Sequence, residues 1–525
     1  MANEYVSIPK EKFAFTNAGD RIHDEKLKTK ARGYFADAFL RFRKNKSSVV
    51  AACIILVLVL FAIFAPLLSS FDVNDKDNVF VNFPPFIEDI ADMNLGILDG
   101  SKVLESQNDK QMLMFEALRQ ESGYNPVIEV PEVQTYTIIE RGKEVVKTSY
   151  INVKVNAYYA KGFKFLNVSK EEYLAIQKWQ DETGIQVIYP MVLMEDVFPS
   201  TVNTKDLTED PNVWYKCSDS KWTPDVGYTV EGAVKFKPAY LTDASKASST
   251  EYKSQRIAGD EGDYVYAIDK GSAIRIRVFY YNYYEFANGQ KANFIFGTDA
   301  YGRDLFCAIG MGARFSLIFA VIVSAVNLTL GAIYGAIQGY YGGWVDMILD
   351  RISDILSGMP FMVVIALFQY HLAPKMGQAG PLFAFFLAFI ATGWIGMAAL
   401  TRKQFYRFKN SEYVMAARTL GASDKRLMFK HIFPNSLGTM VTSCVLVIPG
   451  VISSETSLTY LKIINLAQFT GTSVGELMSL GQSAATTSPH AMLFPALFVG
   501  LLLISFNLFG NGLRDAFNPS TRGAE

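Results

Sequence analysis

The apolar residues of this chain fall into two blocks. One is a single uncharged run, VVAACIILVLVLFAIFAPLLS, at 49–69, and the other is a series of runs through 311–513. A helix needs about twenty consecutive apolar residues to cross the ~30 Å hydrocarbon core of a bilayer. The pattern predicts a first span at 49–69 and five more at 315–338, 353–372, 382–401, 436–457 and 491–512. A cleaved signal peptide competes for the first run, but its core would be shorter and nearer the N-terminus. The run is therefore expected to stay as a signal anchor, preceded by a cytoplasmic segment, 1–48. Within that segment ARGYFADAFLRFRKNK places its aromatic and aliphatic residues on one helical face, the pattern of a helix lying along a membrane surface.

Between the blocks, 72–295 reads as a folded soluble domain. Asp109 to Glu121 is predicted as a capped amphipathic helix ended at Gly123, and Ser169 with Glu172 starts a second helix that Gly184 closes. Residues 135–155 read as two strands joined around Arg141-Gly142-Lys143, and 274–286 return to strand-like alternation. The expected class is α+β, long enough for its own core. Its many tyrosines and phenylalanines fit either a binding face or a core and sheet surface.

Charge and composition narrow the function. The chain has 525 residues, half of them hydrophobic, with a formal net charge of −1, which argues against nucleic acid as a partner. The distribution of charge says more. Residues 402–435 carry Arg402, Lys403, Arg407, Lys409, Arg418, Lys425, Arg426 and Lys430 against Glu412 and Asp424. The positive-inside rule puts that loop in the cytoplasm, together with 1–46 and the tail 514–525, and puts 72–295 outside. Cys53, Cys307 and Cys444 lie in or beside apolar runs and Cys217 is alone in the outer domain, so no disulfide is expected within it. Four histidines and four cysteines, widely spread, predict no zinc site.

Inside the basic loop, SEYVMAARTLGASDKRLMFKHIFP (411–434) predicts an elbow. A helical run from Glu412 to Leu420 stops at Gly421, and a second, from Asp424 to Ile432, stops before Pro434. One side is expected to be apolar (Val414, Leu420, Leu427, Phe429) and the other cationic (Arg418, Lys425, Arg426, Lys430). The spacing Ala416-Ala417-x(3)-Gly421-x(12)-Pro434 resembles the "EAA" coupling loop of ABC importer permeases, and the longer string EYVMAARTLGASDKRLMFKHIFPN resembles the C-type permease of oligopeptide and dipeptide importers. Met415 stands where that family has glutamate.

Three further strings carry the same resemblance. FGTDAYGRD (296–304) is similar to the GTDxxGRD signature of peptide and nickel importer permeases, with Gly297, Thr298, Asp299, Gly302, Arg303 and Asp304 at its positions. These charges are expected at a solvated water–membrane boundary. GYYGGWVDMILDRISDI (339–355) is similar to the family's GYxGGxxDxxxxRxxD, and its Arg351 and Asp354 can pair one turn apart. GNGLRDAFNP (510–519), with Arg514 and Asp515, resembles the family's GDGLRDxLDP, and ETSLTYL (455–461) its E-x-x-LSYLG. Gly331, Gly335 and Gly339, four residues apart, mark a close helix contact, either within this chain or with a partner permease.

The resemblance implies an α-helical integral membrane protein with six transmembrane helices of the ABC importer permease type I kind, carrying an inserted α+β extracellular domain at 72–295. Residues 296–513 are then the permease core and 402–435 its coupling loop. It implies a non-catalytic subunit for import of oligopeptides or dipeptides, with nickel or another small solute as the alternative. The expected partners are a second homologous permease subunit, two ATP-binding subunits, an extracellular substrate-binding protein and membrane lipid, with no nucleic acid. The sequence shows no G-x(4)-GK[ST] phosphate loop, so ATP and Mg are expected on the partner subunits and no cofactor or metal on this chain. The reading from another class, a membrane-anchored extracellular sensor or adhesion protein, explains the inserted domain but leaves the elbow and the GTD–GRD string without a role.

Overall fold

A computed structural model describes residues 34–93, 95–191, 251–252, 266–466 and 471–517. Cys217, most of the N-terminal segment and the end of the tail lie outside the described residues.

The N-terminal amphipathic helix runs over Tyr34–Lys44 (α1). Asn45 then caps the first membrane helix, Lys46–Leu68 (α2), by accepting from the Ser48 N–H. Pro66 lies inside α2 and has no N–H to give to the carbonyl of Ala62. The guanidinium of Arg314 donates to that carbonyl and to Ile63 O, at 3.3 and 2.9 Å, and so ties α2 to the next long helix.

The inserted domain is two antiparallel sheets with helices packed on them. In the first, strand Lys143–Asn156 (β4) is the spine, and Ser101–Asn108 (β1), Val127–Glu129 (β2) and Glu132–Glu140 (β3) all pair with it. The β3–β4 turn puts Arg141 and Gly142 both at positive φ, the geometry that a two-residue hairpin requires. In the second sheet Phe163–Val168 (β5) and Ile188–Tyr189 (β6) flank Ile274–Phe279 (β9), with Glu251–Tyr252 (β7) and Ala267–Asp269 (β8) beyond it. Helices Asp109–Ser122 (α3) and Lys170–Thr183 (α4) begin at the caps Asn108 and Ser169 and end at left-handed Gly123 and Gly184. The strand expected over 274–286 stops at Phe279, and Tyr280–Asn288 is a helix (α5) closed by left-handed Gly289. A run of aromatic residues is compatible with either period, and here packing decides. Tyr280, Tyr281 and Tyr284 turn into a core with Tyr158, Tyr159 and Phe163.

That core fixes the domain to the bundle. Phe71, Phe80 and Phe86, from the stretch after α2, and Phe294, before the next span, belong to the same aromatic cluster. Phe86 stacks on Tyr158 with ring centroids 4.7 Å apart, Phe71 stacks on Phe294 at 4.7 Å, and the Tyr280 hydroxyl donates to Asp77 at 2.6 Å. These tyrosines are filling a core rather than lining a binding face.

The membrane half follows as Leu305–Tyr341 (α6), Gly343–Ser357 (α7), Phe361–Leu367 (α8), Gly380–Gly393 (α9), Ile395–Phe408 (α10), Glu412–Thr419 (α11), Phe433–Tyr460 (α12), Val474–Ser483 (α13) and His490–Phe517 (α14). Among the described residues five helical stretches are long and apolar enough to cross a membrane, against six expected spans. The difference lies in Phe361–Phe408, which counts as one stretch but has a non-helical turn at Gly377 (φ 68°, ψ −152°). Gln369 Nε2 donates to Pro381 O across that turn at 2.8 Å, so the chain folds back there as the two expected spans require. The third expected span, 353–372, is not continuous. It breaks between Ser357 and Phe361, where Pro360 precedes α8, and α7 stands as a separate amphipathic helix.

The glycine series has a definite partner. A Cβ at Gly331 would lie 2.7 Å from Met397 Cβ, one at Gly335 2.2 Å from Ala398 O, and one at Gly339 2.6 Å from Phe405 Cβ. The glycines let α6 and α10 touch backbone to backbone, so this seam lies within the chain.

Candidate functional site

The elbow forms with the predicted bend. Helix α11 ends in a Schellman motif: Gly421, at φ +82°, donates its N–H to Arg418 O, and the Ala422 N–H donates to Ala417 O. Ala416 O accepts from the Leu420 N–H and from Thr419 Oγ1. A helical turn, Asp424–Arg426, restarts the chain after Ser423. It does not stop before Pro434. Wide π turns over Leu427–Ile432 carry it straight into α12, with Pro434 in the first turn of that helix. Proline withholds an N–H there, and side chains supply donors nearby: Asn435 Nδ2 to His431 O at 2.8 Å and Ser436 Oγ to Ile432 O at 3.1 Å.

The faces of the elbow differ from the sequence expectation. Val414 and Leu427 are fully buried, and with Met428 and Ile432 they pack on Ala336, Tyr340 and Phe405 of α6 and α10. Leu420 and Phe429, expected beside them, are exposed, as are Tyr413 and Met415. Arg418, Lys425, Arg426 and Lys430 are exposed too. The free surface is therefore a mixture of apolar and basic groups rather than a cationic face alone. The returning arm is held by the Tyr340 hydroxyl, which donates to Asp424 Oδ1 beside Arg418.

The GTD–GRD string lies at the opposite end of α6, and it is buried. Thr298 Oγ1 donates to Phe80 O and accepts from the Phe83 N–H, joining the string to the stretch that follows α2. Asp299 forms an ion pair with Arg303 at 2.7 Å, each side chain 3% exposed, and Arg303 Nη1 donates to Gly471 O at 3.1 Å. Gly297 and Gly302 both have positive φ. A Cβ at Gly297 would come 2.3 Å from Phe83 O, and one at Gly302 2.0 Å from Asp77 O. Asp304 caps α6, accepting from the Phe306 and Cys307 N–H groups and from Ser69 Oγ. Burial pushes its carboxyl up to about 6 in spite of those donors. The string is thus a clamp that gathers the end of α2, the start of α6, the 471–475 loop and, through His490 beside Thr298 O, the start of α14. The expectation of a solvated boundary is corrected: closed turns with no room for side chains shut water out.

Other motif residues are placed apart from both sites. Arg351 and Asp354 do pair, at 3.0 Å, but on the exposed side of α7. Arg514 and Asp515 are exposed on the last turns of α14, which stays helical to Phe517. Glu455 is fully buried and accepts from Ser316 Oγ at 2.7 Å, linking α12 to α6. Residues 471–475, Gly-Thr-Ser-Val-Gly, have the G-x-S-x-G spacing of a hydrolase nucleophile turn. Ser473, however, is 1% exposed and spends its oxygen capping α13 on the Glu476 N–H.

Sequence reasoning missed one cluster. Arg402 of α10 donates to Asp346 at 2.6 Å and to Asp350 at 2.8 Å, both on α7, and the Tyr406 hydroxyl also donates to Asp346. Partners more than fifty positions apart leave no local signal; only the four-residue spacing of the two aspartates hinted at a shared face.

Residues 327–523 match the family described as "Binding-protein-dependent transport system inner membrane component", and residues 33–85 match "N-terminal TM domain of oligopeptide transport permease C". The oligopeptide transport system permease protein OppC of Bacillus subtilis is 40% identical over 227 residues, which are 43% of this chain and 72% of that protein. The chain belongs to the oligopeptide and dipeptide ABC permease family. The dipeptide transport system permease protein DppC of the same organism is 36% identical over 44% of this chain and 70% of that protein, and the OppC of Haemophilus influenzae is 38% identical over 43% and 70%. As a member of this family with several helices of spanning length, the permease is a multi-pass membrane protein. Neither family match includes residues 86–326, which hold most of the inserted domain and the clamp.

Proposed function

We propose that this permease carries oligopeptides or dipeptides into the cell as a membrane subunit of an ATP-driven importer. The observation that carries the reading is the identity of 36–40% to proteins named as oligopeptide and dipeptide transport permeases. The bent elbow supports it, because a basic loop with exposed Met415, Leu420 and Phe429 suits a groove on a second protein. In this reading the elbow, through Ala416, Ala417, Arg418, Gly421, Arg426 and Pro434, meets one of two ATPase subunits. ATP and Mg are held and hydrolysed there, and this chain performs no catalysis. A second homologous permease completes the pathway, and a substrate-binding protein delivers peptide from outside.

Proteoliposomes holding the whole set of partners are expected to accumulate a labelled tripeptide when ATP is enclosed, and to stop when this chain is left out. Accumulation of nickel in place of peptide would move the assignment to the small-solute alternative. The absence of any ATP-dependent accumulation would end the transport reading.

The orientation has its own test. The excess of Lys and Arg over 402–435 favours a cytoplasmic elbow, cytoplasmic termini and an outside inserted domain. In a background whose native cysteines, Cys217 included, are replaced, a Lys425→Cys variant is expected to resist a membrane-impermeant thiol reagent in intact cells and to react once the cells are opened. Labelling in intact cells would invert the topology.

A further inference from the structure

Helix α7, at the elbow end of the bundle, is held without apolar packing. Among the described residues it contributes no side chain to the apolar cores, and only Asp346 and Ser353 are buried on it. Trp344, Ile348, Ile352 and Ile355 all face away from the chain. Both of its ends are breaks. Gly342 and Gly343 at the start have φ of 66° and 55°, and the chain leaves helical geometry again at Pro360. By contrast, α6 and α10 are locked together along the glycine seam.

The bonds that tie α7 to this rigid pair are polar. Arg402 forks across Asp346 and Asp350, one helical turn apart, and Tyr406 adds a second donor to Asp346 Oδ2. The Tyr334 hydroxyl donates to Leu349 O at 2.7 Å. The fork is incompletely satisfied: Asp346 Oδ1 and Arg402 Nε have no partner among the described residues. The pair is only partly buried, with the Arg402 side chain 28% exposed, so it can hold a helix and has little to lose by exchanging partners.

Its position relates it to the elbow. Arg402 and Tyr406 lie on α10, which leads directly into α11, and Lys409 at the junction sits 4.5 Å from the Tyr406 ring. The other arm of the elbow is bonded through Asp424 to Tyr340, two residues before the Gly342 break. Both arms are thus fastened to residues flanking the hinge at the start of α7.

We propose that Arg402 is a positioning residue that latches α7 to the α6–α10 pair, so that displacement of the elbow moves α7 with it. This rests on the transport function proposed above and names the link by which the elbow reaches the membrane helices. Without the latch, an elbow stroke would turn at Gly342–Gly343 and leave α7 behind, and ATP would be hydrolysed with little transport.

The assembled transporter tests this through peptide taken up per ATP hydrolysed. Arg402→Ala and Asp346→Asn are each expected to lower that ratio about tenfold. Asp350→Asn, which keeps the bonds to Asp346, should lower it no more than about threefold, and Arg402→Lys should fall between. The double variant Arg402→Ala/Asp346→Asn should be no worse than either single one, because both remove the same link. A merely structural role would lower the amount of assembled complex and leave the ratio of the surviving fraction unchanged, which would overturn the proposal, as would multiplicative losses in the double variant. Wild-type uptake in the same preparation separates failure of the latch from failure of the transport reading. A spin label at Ile355→Cys in a cysteine-free background reads the latch without any substrate: Arg402→Ala should increase its mobility, and an unchanged spectrum would refute the latch whatever the transporter carries.

Discussion

Gly421→Val is expected to cut peptide uptake at least tenfold while the protein still inserts in the membrane. The reason is backbone geometry alone. Gly421 sits at φ +82°, and a Cβ there would meet nothing within 4 Å, so the new side chain clashes with no neighbour. A β-branched residue in the left-handed region is nevertheless strained, by about 1–3 kcal/mol. Strain of that size, where about 1.4 kcal/mol is a factor of ten, can leave the closed bend in the minority. The Schellman bonds of Gly421 and Ala422 to Arg418 and Ala417 would open, and α11 would no longer point its exposed residues where the helical turn at Asp424–Arg426 requires. Insertion should survive because Val414, Leu427 and Ile432 keep their packing. Gly421→Asn separates bend from bulk, since asparagine tolerates this region. It should retain uptake within about threefold of wild type. Equal uptake by the valine and wild-type proteins would show that the bend does not transmit force.

What could be read in advance was what local geometry decides. The Gly421 bend, the capped helix from Asp109, the Ser169 cap, the stops at Gly123 and Gly184 and the hairpin around Arg141–Gly142 depend on residues a few positions apart, and all formed as expected. The failures have a common physical source in tertiary context. Periodicity put Leu420 and Phe429 with Val414, but the surface of α6 and α10 takes Val414, Leu427, Met428 and Ile432, with Ala417, Ala422 and Phe433 partly buried beside them. Proline at 434 predicted a stop, yet π turns and the donors of Asn435 and Ser436 let the helix pass. Alternating aromatics predicted a strand to 286, whereas the cluster around Tyr158 and Phe294 needed Tyr280, Tyr281 and Tyr284 on one helical face. Charges are the clearest case. Sequence proximity paired Arg351 with Asp354, which is exposed, and said nothing of Arg402 with Asp346 and Asp350, which holds two helices together.

The same contrast between buried and exposed pairs sets the second large expectation. Arg303→Ala should destabilise the transporter by about 3–5 kcal/mol, the cost of leaving one member of a buried ion pair unpaired. Arg351→Ala should cost less than about 0.5 kcal/mol. Both arginines partner an aspartate within one helical turn's spacing in sequence, so local chemistry does not separate them. Burial does: the Arg303–Asp299 side chains are each 3% exposed, while those of Arg351 and Asp354 are 73% and 57% exposed. Arg303 also donates to Gly471 O, so its loss frees the loop before α13 as well as the turn before α6. Asp299 would remain fixed by its bonds to the Tyr301 and Arg303 N–H groups, buried without its ion-pair partner. Melting of the detergent-solubilised complex, followed side by side for the two variants, checks this. Because the clamp joins the stretch after α2 to the start of α6, Arg303→Ala should also expose the 71–86 segment to protease before the rest of the chain. If the two variants melt together, the clamp does not hold the domain end of the bundle, and the aromatic cluster around Phe80 and Tyr158 would have to do so alone.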